Sequence, residues 1–405
     1  MVCLKNEKDT QKVRMMECAA LCEACEIEPV SELVQFSRSL DPKTVLRSGK
    51  LQELASLIAA LHADMVVFVN NLSIAAMNRI QAETGVQVID RTTLILDIFS
   101  KRAQSKQAKM QVELARLRYA LPSLSLENES EAHFRGGQYR SRGAGESRSA
   151  EIARTYRRRI AALTKSLAEI RRENETAERR RGKSGLARCA LVGYTNAGKS
   201  SLMNAMLRYE NKEERSVFAK DMLFATLDSS VRNMEYQGRQ FLLYDTVGFV
   251  SDLPTTLVEA FQSTLEAACS ADLLVHVIDG SDPLRNEKTE AAEATLRQIH
   301  ADGIPILRVY AKMDAPGFVK EDGVCSVSSL SLEGIEPLLK EITSRLYPDE
   351  KSIVVCIPYE KSGILHMYQS VVDVMILEET ETGYLARITG QKTRLKPFLL
   401  YEVKK

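Results

Sequence analysis

The chain has 405 residues, of which 44% are hydrophobic and 27% are charged, and its formal net charge is +1. This length exceeds what one hydrophobic core usually organises, so we expect roughly two to four domains. No run approaches ~18 apolar residues and no basic-then-apolar signal pattern opens the chain, which argues against a membrane span and against secretion. Eight cysteines without a disulfide-like framework suit a reducing compartment, so we expect a cytoplasmic protein. We also expect a monomer.

A cysteine-containing helix is predicted near the N-terminus. The stretch VRMMECAALCEACEIEPV places Met15, Cys18, Cys22 and Cys25 on one helical face. The same C-x₃-C-x₂-C spacing occurs in radical enzymes that hold an iron–sulfur cluster. Because buried cysteines usually act as small hydrophobic residues, we favour a core face over a cluster or metal site.

Residues 1–92 alternate helical and strand patterns, which predicts a small α/β domain with parallel strands. Helical periodicity marks residues 51–63 and 74–84, and short apolar runs at 65–69 and 86–90 predict strands. The five histidines of the chain show no metal-ligand spacing. We expect His276, inside a later apolar run, to be a core strand residue.

Residues 93–182 predict an antiparallel helical hairpin. No proline or glycine interrupts residues 94–121, and two apolar seams repeat every three or four residues. Two helices with matching seams and one connecting loop pack against each other in antiparallel fashion. The seams are Met110, Leu114, Leu117 and Leu121 in the first helix, and Ile152, Tyr156, Ile160, Leu163, Leu167 and Ile170 in the second.

The tip loop of this hairpin, about residues 123–150, combines glycines with arginines and aromatic rings. Such a segment cannot form a core, so we expect it to be exposed. Between Arg135 and Lys183 there are fifteen Lys or Arg against six Asp or Glu. Guanidinium groups beside aromatic rings suit phosphate pairing and base stacking on unpaired RNA, although a solvated linker has the same composition. The predicted RNA contacts are Arg135, Tyr139, Arg140, Arg142, Arg148, Arg157 and Arg158.

Residues 183–347 alternate four strand patterns with helical segments, which predicts a doubly wound, mostly parallel sheet. The basic stretch RRRGKSG, residues 179–185, is typical of a linker into this domain. The tail, residues 352–405, predicts a strand, a helix and two or three further strands, with turns at Gly383 and Gly390. We expect this small α+β domain to support the molecule or form an interface.

The first strand of the third domain leads into a phosphate-binding loop. Gly193, Gly198, Lys199 and Ser200 fit G-x-x-x-x-G-K-[ST] between a strand and a helix. Glycines let successive N–H groups point at phosphate oxygens, and the helix N-terminus adds partial positive charge. We expect Lys199 to reach the β- and γ-phosphates and Ser200 to coordinate Mg²⁺. The predicted contacts are Gly193, Tyr194, Thr195, Asn196, Ala197, Gly198, Lys199, Ser200 and Ser201.

Two later motifs complete the pattern of a P-loop GTPase switch. In LFATLD, the Thr226 hydroxyl is predicted to close on Mg²⁺ and the γ-phosphate. In YDTVGF, Asp245 follows a strand and is predicted to hold Mg²⁺ through water, while the Gly248 N–H approaches the γ-phosphate. The predicted metal ligands are Ser200, Thr226 and Asp245. The predicted catalytic residues are Lys199, Thr226 and Gly248. Further predicted nucleotide contacts are Phe224, Thr246 and Val247.

Base recognition is assigned to the motif AKMD. The Asp314 carboxylate can accept hydrogen bonds from guanine N1 and its exocyclic amine, and the stem of Lys312 can lie over the ring. The backbone of Ser328 and Ser329 can support the base from the other side. Most guanine sites carry Asn where this chain has Ala311, so we expect GTP over ATP with reduced affinity or discrimination.

The residue after DTVG predicts slow intrinsic hydrolysis. Small signalling GTPases place a water-positioning Gln there, and this chain has Phe249. A phenyl ring can neither orient water nor accept a proton. We therefore expect a partner to accelerate hydrolysis by positioning the groups around the γ-phosphate.

Together these motifs resemble the HflX GTPases. The resemblance rests on GYTNAGKSSLMNAM, FATLD and DTVGFVSDLPTTLVEAFQSTLEAA, preceded by SGKLQELASLIAALHADMVVF, DRTTLILDIF, AKMQVELARLRYALPSL and RGAGE. It runs from about Ser48 to Tyr347, and more loosely through the tail. The chain departs from the family at Ala311, at Ala144 where proline is usual, and at Ser329 where alanine is usual.

The resemblance implies binding to the large ribosomal subunit and its rRNA near the subunit interface, with the hairpin tip toward the peptidyl-transferase region. It also implies GTP-dependent splitting of stalled or idle ribosomes, often under stress. Two other functions stay open from the residues alone. One is an RNA remodelling or ribosome-assembly factor driven by ATP as well as GTP; the other is a nucleotide-gated RNA-binding scaffold with negligible hydrolysis.

Overall fold

The computed structural model describes most of the chain, with gaps. The described residues are 2–5, 9–36, 41, 44–134, 148–182, 186–210, 230–250, 268–348, 350–368, 372–391 and 394–403, without the side chains of 2–13, 123–134, 148–149, 174–182, 350 and 391. Within this part of the chain, no helix combines the length and the apolar character that crossing a membrane requires.

The N-terminal region is a four-stranded parallel sheet between helices. Its strands are β1 (Val2–Lys5), β2 (Leu33–Phe36), β3 (Met65–Phe68) and β4 (Gln87–Asp90), in the order β2-β1-β3-β4. Its helices are α1 (Asp9–Ala24), α2 (Ser48–Leu61) and α3 (Ile74–Thr84). Val67 and Ile89 face one hydrophobic cluster, with α1, while Val66 and Val88 face another, with α2 and α3. The predicted α/β region is confirmed, whereas the sequence patterns missed β1 and β2.

The cysteine face of α1 lies in the core. Met15, Cys18 and Cys22 are buried in α1, and Cys25, just beyond its end, is buried as well. Burial raises the pKa of the Cys25 thiol to about 11. In the described part of the chain no group of three or more His, Cys, Asp or Glu is arranged to hold a metal ion. The burial of these cysteines agrees with the core face that the helical periodicity predicted.

The helical hairpin continues directly from the N-terminal sheet. Its helices are α4 (Arg91–Arg102), α5 (Lys106–Phe134) and α6 (Arg148–Gly182), so the limit predicted at residue 92 falls inside α4. The uninterrupted run 94–121 holds two helices, because Ala103 is extended and the Ser105 hydroxyl accepts a hydrogen bond from Ala108 N at the start of α5. Both α5 and α6 also extend into the predicted tip loop.

Polar contacts fix α5 to its neighbours. Arg159 of α6 donates to both carboxylate oxygens of Glu113 in α5, at 2.6 and 2.8 Å. Tyr119 of α5 donates to Asp90, which also caps α4 by accepting from Thr93 N at 2.8 Å. The hairpin is thereby attached to the end of β4.

The third region is a six-stranded sheet flanked by helices. Its strands are β5 (Ala187–Val192), β6 (Ser230–Tyr236), β7 (Arg239–Asp245), β8 (Leu273–Asp279), β9 (Ile306–Ala311) and β10 (Cys325–Ser326). Its helices are α7 (Lys199–Tyr209), α8 (Arg285–Gln298) and α9 (Ile335–Leu346). The order is β10-β9-β8-β5-β7-β6, and only β6 is antiparallel to its neighbour. The predicted doubly wound sheet is confirmed; β6 and β10 were missed.

The N-terminal region packs directly on the third region. Tyr194, Val247 and Val250 belong to the same buried cluster as Cys22 and Leu94. The contact therefore involves the loop after β5 and the loop after β7.

The tail forms a three-stranded antiparallel sheet. Its elements are β11 (Glu350–Pro358), α10 (Gly363–Tyr368), β12 (Asp373–Thr380) and β13 (Gly383–Gln391), followed by a 3₁₀ helix over Lys396–Tyr401. The sheet order is β11-β13-β12. The turn predicted at Gly390 was wrong, since Gly390 lies inside β13 opposite Lys351, where Val372 leaves little room for a side chain.

Candidate nucleotide site

The loop between β5 and α7 has backbone geometry that requires its two glycines. Gly193 has φ +146°, and a Cβ there would lie 2.2 Å from the carbonyl oxygen of Val277 in β8. Gly198 has φ +96° at the N-cap of α7. Left-handed backbone and close approach both exclude larger residues, so the loop folds tightly around the N-terminus of α7.

Lys199 is buried inside this loop. Its ammonium group donates to the carbonyl oxygens of Gly193 and Tyr194 at 3.1 and 2.9 Å. Desolvation lowers the pKa of Lys199 to about 8, against the opposing charge of Asp245. A buried cation with a reduced pKa is stabilised by an anion, and a phosphate oxygen is the anion that this loop suits.

Ser200 and Asp245 bring hard oxygen donors together. The Ser200 hydroxyl donates to an Asp245 carboxylate oxygen at 2.6 Å, and Asp245 is fully buried at the end of β7. The next residue, Thr246, donates its hydroxyl to Leu191 O at 2.7 Å and so ties β7 to β5. A hydroxyl beside a carboxylate fits Mg²⁺, which prefers oxygen ligands.

The segment after Asp245 runs along the phosphate loop. Phe249 N donates to Gly193 O at 3.0 Å, and Thr195 N donates to Phe249 O at 2.8 Å. A Cβ on Gly248 would lie 2.7 Å from Thr195 Cα and 2.9 Å from Lys199 Nζ. Gly248 therefore lies next to the Lys199 ammonium, and a side chain does not fit at this position.

The Phe249 ring lies in the core. It is 1% exposed and belongs to a buried cluster with Val192, Leu274 and Leu296. The Phe249 side chain, at the position of a water-positioning Gln, therefore packs in the core. This burial agrees with the expectation that a phenyl ring cannot orient water.

The base-recognition motif follows β9. Ala311 is buried, and its Cβ lies 3.8 Å from where a Cβ on Gly198 would be. Lys312 has φ +61°, and its ammonium pairs with the Asp279 carboxylate at 2.9 Å. Asp279 also accepts from Ser281 N at 3.0 Å and from the Ser281 hydroxyl at 2.6 Å. Burial opposes ionisation of Asp279, but the hydrogen bonds from Ser281 and Lys312 prevail and lower its pKa.

The loop on the other side of this motif is held by its own side chains. The buried Ser328 hydroxyl accepts from Leu330 N at 3.2 Å and from Ser331 N at 3.1 Å. Arg208 of α7 donates to Ser329 O. Asp314 is exposed beyond the end of β9. The predicted nucleotide contacts that the structure describes follow the ends of strands in one sheet. They are residues 193–201, 245–248, 312, 314 and 328–329.

Sequence patterns missed two residues of this site. Asp279 holds Lys312, and Arg208 holds the loop of Ser329. The position of Asp279, directly after the apolar run of β8, was an available signal, because polar residues at the carboxyl ends of parallel strands line ligand sites. Nothing in the pattern of α7 distinguishes Arg208.

Known families match successive parts of the chain. A family described as GTP-binding GTPase N-terminal matches residues 12–100, one described as GTP-binding GTPase Middle Region matches 102–181, and one described as 50S ribosome-binding GTPase matches 188–312. GTPase HflX of Alkalihalophilus pseudofirmus is 38% identical over 314 residues, 77% of this chain and 73% of its own. GTPase HflX of Caldanaerobacter subterraneus subsp. tengcongensis is 35% identical over 379 residues, 92% of this chain and 87% of its own.

The chain belongs to the HflX GTPase family. A solved GTP-binding protein of Sulfolobus solfataricus in complex with GDP is also similar, with 25% identity, a TM-score of 0.43, and coverage of 86% of this chain and 98% of its own. The family assignment confirms the resemblance that the motifs predicted. The protein is therefore a member of a GTPase family.

Several predicted residues of this HflX-family GTPase lie outside the described residues. These are Phe224, Thr226, Arg135, Tyr139, Arg140 and Arg142. Arg148 begins α6, but its side chain is not described. Arg157 and Arg158 are exposed on α6. The roles of all these residues stay predictions.

Proposed function

We propose that this GTPase binds the large ribosomal subunit and its rRNA and dissociates stalled or idle ribosomes in a GTP-dependent manner. One observation carries the proposal: Val247 and Val250, beside Gly248, share a buried cluster with Ala108 and Val112 of the hairpin helix α5. A change at the nucleotide can therefore bias the position of the hairpin. The family that matches residues 188–312 is described as a 50S ribosome-binding GTPase, which supports the same partner.

The hairpin would supply the RNA contact. Arg154, Arg157 and Arg158 are exposed along α6, where guanidinium groups can pair with phosphates. The tip residues Arg135, Tyr139, Arg140, Arg142 and Arg148 complete the proposed surface. We expect the protein to act as a monomer in the cytoplasm.

Hydrolysis would be Mg²⁺-dependent and slow without the ribosome. Ser200, Asp245 (through water) and Thr226 would hold Mg²⁺, which neutralises phosphate charge when bound. Lys199 would stabilise negative charge on the β- and γ-phosphates, and the Gly248 N–H would bind a γ-phosphate oxygen. Because the Phe249 ring is buried, the ribosome would have to complete the positioning of the attacking water.

Sucrose-gradient sedimentation tests the proposal. Purified 70S particles are mixed with the full chain and GTP, a non-hydrolysable analogue or GDP. We expect conversion to free subunits with GTP or the analogue and not with GDP. An unchanged 70S peak in every arm contradicts ribosome splitting.

Reversing charge at the tip tests the RNA contact. The triple change of Arg135, Arg140 and Arg142 to Glu should weaken co-sedimentation with the large subunit at least tenfold and leave GTP affinity unchanged. The matched control reverses Arg79, Arg297 and Lys320, which are exposed and belong to other elements than the hairpin. Equal loss of both activities in the tip variant would indicate misfolding.

Ala311 favours a second candidate, an RNA remodelling or assembly factor that uses ATP as well as GTP. A methyl group next to Gly198 leaves out one usual base contact. Affinities for GTP and ATP, measured for the natural chain and for Ala311→Asn, separate the two. Relaxed base selection is supported if the natural chain binds GTP and ATP with similar affinity and Ala311→Asn binds GTP more tightly than ATP. A strong preference of the natural chain for GTP contradicts relaxed base selection.

The third candidate, a non-hydrolysing scaffold, is motivated by Phe249. Phosphate release measured with and without large subunits decides it. Ribosome-stimulated release excludes the scaffold, and its absence, together with GTP-dependent binding, supports it.

A further inference from the structure

The C-terminal sheet has one covered edge and one open edge. The outer side of β11 is met by the end of the chain, because Val403 N donates to Val354 O at 2.9 Å and Val355 forms a β-bridge with Glu402. On the other side of the sheet, β12 pairs with β13, and in the described part of the chain no strand pairs with its outer edge.

The open edge carries apolar side chains on both faces. Met375, Ile376 and Leu377 are consecutive, and they are 54%, 51% and 41% exposed. Ile376 lies opposite the buried Ala386, on the core face of the sheet, whereas Met375 lies opposite Arg387 on the other face. A helix laid on the sheet would cover one face only. An extended strand added in the plane of the sheet covers both and also satisfies edge backbone groups.

Carboxylates flank this apolar segment. Glu378, Glu379 and Glu381 follow Leu377 and are exposed, whereas Asp373, which opens β12, has its carboxylate against Gly238 in the turn between β6 and β7. Clustered carboxylates repel the phosphates of RNA and attract lysine and arginine. The chemistry of this edge therefore selects a basic protein segment.

The same charges disfavour a second copy of the chain. Antiparallel pairing of two β12 strands about Ile376 would bring Glu379 of one copy to Asp373 of the other, and parallel pairing in register would oppose identical glutamates. Like charges directly opposite each other destabilise a strand pair. The β-bulge between Ile376 and Glu378 further hinders self-pairing of a flat edge.

We propose that the outer edge of β12, at Met375–Leu377, is a docking site for an extended, basic segment of a partner protein, which adds to the C-terminal sheet as a fourth strand. The residues of this edge belong to the tail and not to the nucleotide site or the basic hairpin. It would give the GTPase a protein contact in addition to its proposed RNA contact.

Fluorescence anisotropy with the full chain tests the proposal. The probe is a labelled seven-residue peptide of alternating lysine and valine. The comparison peptides replace lysine by glutamate, or carry N-methyl groups on alternate valines, which keeps the charge and removes edge hydrogen bonds. We expect saturable binding of the lysine–valine peptide, with each comparison peptide at least tenfold weaker.

Variants locate the binding. Ile376→Lys places a charge at the half-exposed edge and should weaken binding at least tenfold, and Glu378→Gln with Glu379→Gln should weaken it about threefold. Leu400→Lys is the matched control, because Leu400 is 87% exposed in the same domain and away from β12. Increased hydrogen-exchange protection of β12 on peptide binding should accompany these changes.

Four results would overturn the proposal. They are absence of binding by the lysine–valine peptide, equal binding by the N-methylated peptide, insensitivity to Ile376→Lys in a variant with unchanged thermal unfolding, and dimerisation through β12 in sedimentation. None of these measurements depends on ribosome splitting, so the two proposals fail separately.

Discussion

The positive charge of Lys199 lies in a buried position, where desolvation disfavours the charged form. The ammonium group is buried and is held by two carbonyl oxygens, and desolvation lowers its pKa to about 8. A bound triphosphate would favour the charged form, so nucleotide binding and protonation of Lys199 should be linked.

We predict that GTP affinity decreases above about pH 8. The free site then loses the Lys199 proton, and binding must take it up again, so affinity should fall up to tenfold per pH unit. Titration of a fluorescent GTP analogue between pH 7 and 9 measures this. Lys199→Met should bind weakly without the additional fall, and an equal slope in that variant would assign the effect to another group.

Asp279 is predicted to act on the base through Lys312. The 2.9 Å ion pair holds the ammonium at the end of β8, which fixes the stem that would lie over guanine. Asp279→Asn should weaken GTP binding roughly tenfold, about 1.4 kcal/mol. In a Lys312→Met background the same change should have little further effect, since the two residues act as a unit.

Asp302→Asn is the control for this double-mutant cycle. Asp302 is exposed in the segment between α8 and β9. It should leave GTP affinity unchanged. Additive losses from Asp279→Asn and Lys312→Met would contradict the coupling.

At the scale of elements, the loop after β7 is paired with the loop after β5. Two backbone hydrogen bonds join Gly193, Thr195 and Phe249, and the Phe249 ring anchors the segment in the core. Movement of this segment must therefore break the two backbone hydrogen bonds. A nucleotide switch requires a segment that can change its arrangement, and the described structure holds this one in a single arrangement.

Gly248→Ala should separate the two loops. The new Cβ would lie 2.7 Å from Thr195 Cα, and the backbone there cannot yield without breaking the pairing. Hydrogen exchange of Thr195 and Phe249 amides should become at least tenfold faster. Gly49→Ala in α2 meets nothing within 4 Å and should leave this exchange unchanged. Unaltered protection in Gly248→Ala would show that the pairing tolerates the methyl group.

At the scale of the whole molecule, His276 makes stability depend on pH. It is buried in β8, and desolvation lowers its pKa to about 4, with Glu293 opposing and Arg308 and Lys199 assisting. Because the unfolded chain binds the proton more readily, the neutral histidine contributes stability above about pH 6.5 that is lost as pH falls toward 4. The expected loss is about 1.4 kcal/mol per pH unit.

Thermal unfolding between pH 7 and pH 5 measures this effect. His276→Leu should flatten the pH dependence relative to the natural chain. His300→Asn is the control, because His300 is exposed and has φ +58°, which asparagine accepts. The explanation fails if His276→Leu and the natural chain lose equal stability over this range.

The sequence alone determined the parts of this protein whose signals are local. Periodicity identified the cysteine face of α1, the hairpin seams and the alternating strands, and fixed spacing identified the loop of Gly193 and Gly198. Elements with weak local signals escaped, since β10 has two residues and the edge strand β6 places the polar pair Arg232 and Asn233 between its apolar residues. The helix break at Ala103 also escaped, because it depends on Ser105 and not on proline or glycine.

Tertiary structure decided the contacts between elements distant in the chain. The order of strands brings Asp279 to Lys312 and Arg208 to Ser329, and it buries the Phe249 ring while its backbone pairs with Gly193. Packing of the N-terminal region placed Val247 and Val250 in one buried cluster with residues of the hairpin helix α5. Periodicity shows which face of an element is buried but not what buries it. For that reason, the fold of the loop of Gly193 and Gly198 could be predicted from its spacing, and its packing against the rest of the molecule could not.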